Sequence, residues 1–287
     1  MKLLVFGKSG QIGRELALHP FTVPLGREDA DLTDPTKCAE IIAQTDADAI
    51  INAAAYTLVD KAEAEEPLAQ AINGDAPTAM AIAAAARNIP FVHISTDYVF
   101  DGSKEKGWFP CDETNPLNAY GRTKLAGEQG IQNAGGVYGI LRTSWVFSAH
   151  GANFVKSMLR LSQGHTELNI VDDQIGGPTS AKDIANTCIA MAQSLVLAPD
   201  QSGLYHYAGY PNVSWAEFAI EVFKQAGLGV VVSKIPSTSY PTPAIRPLNS
   251  RLDCRGLHQS FGIEQPNWHE SLKSVLQELE ALKNEKT

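Results

Sequence analysis

The stretch "LLVFGKSGQIG", residues 3–13, joins a four-residue apolar run to glycines at 7, 10 and 13. The apolar run has the length and composition of a buried strand, and the glycines open a helix beginning at about Gln11. Gly7 permits a tight turn, Gly10 lets backbone N–H groups approach a pyrophosphate, and Gly13 lets the helix sit close to the strand. The anion then meets the unpaired N–H groups at the positive end of the helix. The spacing is G-x-x-G-x-x-G, not the G-x-G-x-x-G of many dehydrogenases. Its weight therefore rests on its setting after a first strand; the alternative is a plain glycine-rich turn.

Downstream the same rhythm repeats. Strand-like runs at 22–25, 49–54, 91–96 and 139–147 alternate with helical patterns near 11–19, 35–45, 67–88 and 119–133. Continuous apolar strands separated by helices predict a doubly wound α/β fold, a parallel Rossmann sheet covered on both faces. Pro77 predicts a kink or break in the third helix. After about residue 147 the alternation loosens into helices at 151–163, 179–197 and 214–227 and strands at 168–173 and 203–209. A proline-rich loop at 235–250 precedes a terminal helix from about 267. This predicts a nucleotide-binding domain over 1–147 and a smaller, mixed substrate lobe over 148–287, with 179–209 packing back onto the first.

The chain has 287 residues, of which 44% are hydrophobic and 19% charged, and a net charge of -9. That balance describes a globular protein and opposes sequence-independent binding to nucleic acid or anionic membrane. The apolar run at the start is too short for a signal peptide, and no stretch approaches the ~20 apolar residues of a membrane span. Cys38, Cys111, Cys188 and Cys254 are too scattered for a zinc site and read as reduced thiols, which points to the cytoplasm.

Cofactor preference turns on the end of the second strand, where an acidic residue ordinarily takes the ribose hydroxyls. Here "PLGRED" places Arg27 at that point, which favours the 2′-phosphate of NADPH and leaves NADH as the alternative. Asp31 and Leu32 fall near the adenine, or cap the helix that starts at Pro35.

In "YGRTK", residues 120–124, Tyr120 stands four positions before Lys124, on one face of a helix. A phenol titrates at about 10, so an ammonium one turn away is expected to favour phenolate; a shift of ~3 units corresponds to about 4 kcal/mol. That prepares a general acid or base for neutral pH. At the carboxyl end of the fourth strand, where open α/β sheets bind ligands, "HISTDYVFDG" offers Thr96 as a donor to a developing alkoxide, with Asp97 beside it.

With the glycine loop, "NAAAYT", "STDYVF" and "YGRTK" in this order, the chain resembles the extended short-chain dehydrogenase/reductases. Through "VDKAE" (59–63), "LNAYGRTKLAGE" (117–128), "RTSWVF" (142–147), "DDQIGGPT" (172–179) and the 240–253 segment it resembles, more narrowly, the dTDP-4-dehydrorhamnose reductase family. The resemblance spans nearly the whole chain. It implies NAD(P)H-dependent reduction of the C4 ketone of dTDP-4-dehydro-β-L-rhamnose. It makes Tyr120 the proton donor, Lys124 the residue that orients cofactor and tyrosine, and Thr96 the group that tunes Tyr120. It assigns Thr96, Asp97, Trp145, Arg246 and Asn249 to the dTDP-sugar. Gly10, Gln11, Ile12, Asp31, Leu32, Ala55, Tyr56, Thr57 and Asn73 match cofactor positions.

Some members of that family dimerise around magnesium. Glu15 matches one such place, but Lys182 stands where a second carboxylate is expected. The resemblance therefore leaves both magnesium and a homodimer open, and it gives metal no part in hydride transfer. Two rival readings accompany it. One is a related 4,6-dehydratase or epimerase, although Tyr98 follows Asp97 where a dehydratase carries glutamate. The other is a non-catalytic NADP(H)-binding regulatory subunit, against which the intact Thr96, Tyr120 and Lys124 set argues.

Overall fold

The structure is a computed structural model and describes residues 1–284. Strands β1 (Leu3–Phe6), β2 (Thr22–Leu25), β3 (Ala49–Asn52), β4 (Phe91–Thr96) and β5 (Tyr138–Thr143) follow one another along the chain. They are linked by α1 (Gln11–Leu16), α2 (Pro35–Gln44), the short α3 (Val59–Ala62) and α4 (Glu66–Gln70), α5 (Ala76–Ala86) and α6 (Ala119–Asn133). A sixth strand, Gly203–His206, joins the outer edge of β5. The sheet order is Gly203–His206, β5, β4, β3, β1, β2, with every neighbouring pair parallel. From β1 the chain moves one way to β2 and then back to β3 on the other side, so the strand order reverses between β1 and β3. Ligands of open sheets bind outside the strand ends at such a reversal.

Residues two apart on a strand share a face, and both faces of this sheet are buried. Leu3, Val5, Ile51, Val92 and Leu141 pack under α1 and the helix Ala181–Leu197, against Ile184, Cys188, Met191 and Leu195. On the opposite face Leu4, Phe6, Ile50, Phe91 and Ile140 meet Cys38 and Ile42 of α2, Met80 and Ala84 of α5, and Ile131 of α6. A separate apolar cluster forms around Phe147, Val155, Phe218, Phe223, Trp268 and Leu272. Beside it, Val213–Ser214, Ile175–Gly176 and Asn249–Ser250 form a small mixed sheet, so the fold combines the predicted parallel sheet with minor mixed ones.

Three local features depart from expectation. The strand expected over 139–147 divides, because Trp145 adopts a left-handed φ of 51° between β5 and the pair Val146–Phe147. The break expected at Pro77 lies upstream: residues Ala71–Asp75 form a wide π turn and Pro77 sits in the first turn of α5. Proline has no N–H for the carbonyl four residues earlier, which is that of Asn73. α6 crosses directly over that carbonyl, where a side chain on Gly127 would come within 2.1 Å of it. Finally, Val231–Ile235, a strand the sequence reading did not assign, pairs in parallel with Glu167–Val171, and the unassigned helix Arg255–Phe261 closes on Gly262.

The glycine loop is tight for measurable reasons. Gly7 has φ of 101°, and a Cβ there would lie 2.7 Å from the Ala54 nitrogen. A Cβ on Gly13 would fall 1.9 Å from the Gly7 carbonyl oxygen. Gly13→Ala is therefore expected to lower stability by about 3 kcal/mol, the upper range of overpacking costs, and to abolish tight dinucleotide binding. Thermal melts with and without NADPH check both outcomes.

Candidate active site

α6 carries the tyrosine and lysine, and its start is fixed from three sides. The Asn118 side chain caps it, accepting from Gly121 N–H at 2.8 Å, while its amide donates to the Ile245 carbonyl of the proline-rich loop at 2.8 Å. The Ala119 N–H donates to Glu63 at 2.7 Å. A Cβ on Gly121 would lie 2.2 Å from the Tyr98 carbonyl oxygen, so glycine lets the first turn of α6 rest on the end of β4. As a result the Tyr120 ring meets Tyr98 edge to face, with centroids 5.8 Å apart.

Thr96 ends β4 and is buried. Its hydroxyl accepts from Tyr98 N–H at 3.2 Å and donates to Asp97 Oδ1 at 3.0 Å, and the Tyr120 phenol lies nearby. The expected lowering of the tyrosine is not what this environment produces. Burial pushes the Tyr120 phenol up to about 12, against the pull of Thr96, with Asp97 adding to the rise. Lys124 does not offset this, because its Nζ points inward: it lies 3.0 Å from His93 Nε2 and donates to the Ile94 carbonyl at 2.6 Å. Spacing placed the two side chains on one face but did not give the direction of the lysine's four-carbon stem.

The remaining cofactor positions surround the reversal between β1 and β3. Ile12 and Leu32 are buried, and Arg27 is exposed at the sheet edge with Nε bonded to Asp31 at 3.0 Å. Gln11 accepts through Oε1 from Ser148 and Asn153, each at 2.9 Å, which ties the glycine loop to the 148–153 turn. Ala55, Tyr56 and Thr57 follow β3. Asn73, on the π turn, holds that segment by accepting from Tyr56 N–H at 2.8 Å and donating to the Tyr56 carbonyl at 3.1 Å.

Among the residues assigned to the sugar, Arg246 makes a two-pronged pair with Asp60 at 2.8 and 3.0 Å. Trp145 stacks on Trp215 with centroids 3.6 Å apart. Asn249 is committed to the backbone, donating to the Lys104 and Lys106 carbonyls at 2.6 and 2.7 Å, and so shapes the loop after β4.

This arrangement matches known proteins over its full extent. Residues 1–281 fit the family described as the RmlD substrate binding domain. The dTDP-4-dehydrorhamnose reductase of Sinorhizobium fredii is 44% identical over 96% of this chain and 97% of that protein. That of Escherichia coli K12 is 42% identical over 97% and 98%. The chain belongs to the dTDP-4-dehydrorhamnose reductase family. Among solved structures, the Clostridium acetobutylicum reductase superposes with a TM-score of 0.91 at 36% identity, covering 98% of this chain and 100% of that one. The Bacillus anthracis reductase, solved in complex with NADP, gives 0.90 at 33% identity, covering 97% and 100%.

Within this dTDP-4-dehydrorhamnose reductase fold, the place that the resemblance suggested for magnesium is not furnished for it. Glu15 is buried and faces His150 at 3.7 Å, and His150 in turn lies 3.4 Å from Glu278. Burial and Glu278 raise the Glu15 carboxyl, while His150 and Lys182 lower it. With those cationic or hydrogen-bearing groups interposed, and no cluster of three or more suitable side chains among the described residues, the set does not fit a bound cation. No step is derived through one.

Three residues of the site escaped the sequence reading. Tyr98 and Asp60 sit inside quoted motifs without an assigned role, yet both adjoin Arg246. His93 is a lone polar side chain at the centre of an apolar strand, which was the only signal it gave.

Asp97 is the costly group of the site. It is buried, its Oδ2 has no hydrogen-bond partner, and burial pushes its carboxyl up to about 6 despite the Ser250 and Thr96 hydroxyls. A folded value above the unfolded one means the native state gains relative stability at low pH and loses it as pH rises through about 6. Asp97→Asn should therefore melt higher than the wild type above that pH, by at most ~3 kcal/mol, and the difference should vanish below about 4. Melting curves across that range measure it.

Proposed function

We propose that the chain reduces the C4 ketone of dTDP-4-dehydro-β-L-rhamnose to dTDP-β-L-rhamnose, with Tyr120 as proton donor. One observation supports the assignment of roles: the buried, hydrogen-bonded pair Thr96 and Asp97 ends β4, and α6 brings the half-buried Tyr120 phenol next to it. Family membership supplies the reaction; this geometry supports the choice of atoms.

When bound, NADPH supplies the hydride that adds to the ketone carbon. Gly7, Gly10 and Gly13 leave the close approach that a pyrophosphate needs, since side chains at 7 and 13 would strike backbone. Arg27 keeps its two terminal nitrogens clear of Asp31, which bonds only Nε, and these would be available to a 2′-phosphate. As the carbonyl oxygen gains charge, the Tyr120 hydroxyl transfers its proton to it. A phenol held at about 12 keeps that proton at neutral pH, which suits a donor in the reductive direction. Thr96, accepting from Tyr98 N–H and donating to Asp97, stays fixed beside the phenol and helps to position it.

Asp97 Oδ2 provides an acceptor for a sugar hydroxyl, and Trp145 an apolar wall. Arg246, steadied by Asp60, brings positive charge toward the dTDP moiety. Asn249 acts on the substrate through the 104–106 loop. No helix among the described residues is long and apolar enough to cross a membrane. We assign the reaction to the cytoplasm, where Cys111, exposed among the free cysteines, would stay reduced.

Purified protein given the dTDP-4-keto-6-deoxysugar, its 3,5-epimerase and NADPH is expected to consume NADPH stoichiometrically, as a dehydratase or epimerase would not. Tyr120→Phe should retain NADPH affinity and lose about 10²–10⁴-fold in kcat. Binding of NADPH without turnover would favour the regulatory reading. Arg27→Ala should raise the KM for NADPH about tenfold and leave that for NADH unchanged, read from initial rates.

A further inference from the structure

Behind Lys124 lies a buried line of three side chains, Asn52, His93 and Lys124, each almost completely hidden from solvent. The parallel register of β3 and β4 places Asn52 beside His93, and α6 brings Lys124 across. His93 Nδ1 lies 3.1 Å from Asn52 Nδ2, and His93 Nε2 lies 3.0 Å from Lys124 Nζ. The Asn52 amide has one orientation, because Ala54 N–H donates to its Oδ1 at 3.1 Å; reversed, two N–H groups would face each other. Asn52 therefore donates, and His93 Nδ1 accepts.

A neutral imidazole has one donating and one accepting nitrogen. Burial holds His93 well below its usual range, so it is neutral. With Nδ1 accepting, Nε2 carries the hydrogen and directs it at Lys124. An ammonium has no lone pair to receive it, whereas an amine does and can still donate to the Ile94 carbonyl.

We propose that His93 is a positioning residue that holds Lys124 against β4 as an uncharged amine, and that protonation of Lys124 breaks this contact and frees Nζ for the cofactor. Protonated, the pair would set N–H against N–H. The surrounding charges are few. Glu128, one turn further along α6, favours the ammonium, and burial outweighs it, bringing Lys124 down to about 8. Glu128 is itself held by Arg142 of β5 and Ser95 of β4, and β3 contributes only the neutral Asn52. The consequence for turnover rests on Lys124 being the catalytic lysine; the tautomer does not.

Two measurements on the full chain test this. Long-range proton–nitrogen spectra of the ¹⁵N-histidine-labelled protein, with His93 assigned by its loss in His93→Gln, should show a protonated Nε2 and a bare Nδ1 once the pH exceeds the Lys124 value of about 8. In His93→Gln the amide carbonyl can turn to Lys124 and stabilise the ammonium. The alkaline limb of kcat/KM should then move up by about one unit, a shift that a merely structural role would not produce. A protonated Nδ1 overturns the proposal, and so does an unmoved limb in a folded variant that binds NADPH. If that variant fails to fold, His93 is assigned in the wild type through its contact with Lys124, and the tautomer alone decides. A chain that lacked reductase activity would still report it, so failure of the functional assignment and failure of this one are distinguishable.

Discussion

The pair between Arg142 and Glu128 fixes where α6 lies on the sheet. Arg142 stands in β5 and Glu128 in α6; their two contacts are 2.6 and 2.8 Å, and both side chains are hidden from solvent. Ser95 of β4 donates to the same carboxylate, so one buried charge joins two strands to the catalytic helix. Losing either partner of such a pair leaves an uncompensated charge and costs about 3–5 kcal/mol. Glycine reinforces the placement: at 121, 127 and 130 a Cβ would strike Tyr98 O, Asn73 O and Thr78 Oγ1 respectively. α6 can therefore lie close along the sheet in essentially one register, and Tyr120 and Lys124 inherit their positions from it.

The sheet was legible because its signals are local. β1 has apolar residues on both faces and the glycines follow it directly, so no distant residue was needed to read the turn. α6 likewise announces itself through the helical spacing of 119–133. What failed was whatever depends on the path of a neighbour. Pro77 correctly marked an irregular helix, but the location of the irregularity follows from α6 crossing over the Asn73 carbonyl. Trp145 gave no sign of its left-handed backbone, which is imposed where β5 ends and its ring stacks on Trp215, seventy residues on. The direction of Lys124 belongs to the same class: a flexible stem on a helix face has several destinations, and only the β3–β4 register reveals His93 as the chosen one.

The titrating groups packed around the end of β4 and the start of α6 share a tendency, unlike the charged pair Asp60 and Arg246. Burial raises Asp97, Tyr98 and Tyr120 and lowers Lys124 and His93, so every one of them is pushed toward its uncharged form. Farther along the sheet, His206 is carried down to about 3 by the same cause, with Arg142 adding to it. In such surroundings a hydrogen bond to a developing charge is stronger than in water, and the donors are already oriented when the charge appears. The same surroundings make a permanent charge expensive, as the raised Asp97 shows. A ketone enters neutral and becomes negative only in passing, so a pocket of neutral, prealigned donors favours its transition state over its ground state. That asymmetry, more than any single lowered pKa, is what converts the buried cluster at the end of β4 into a site suited to carbonyl reduction.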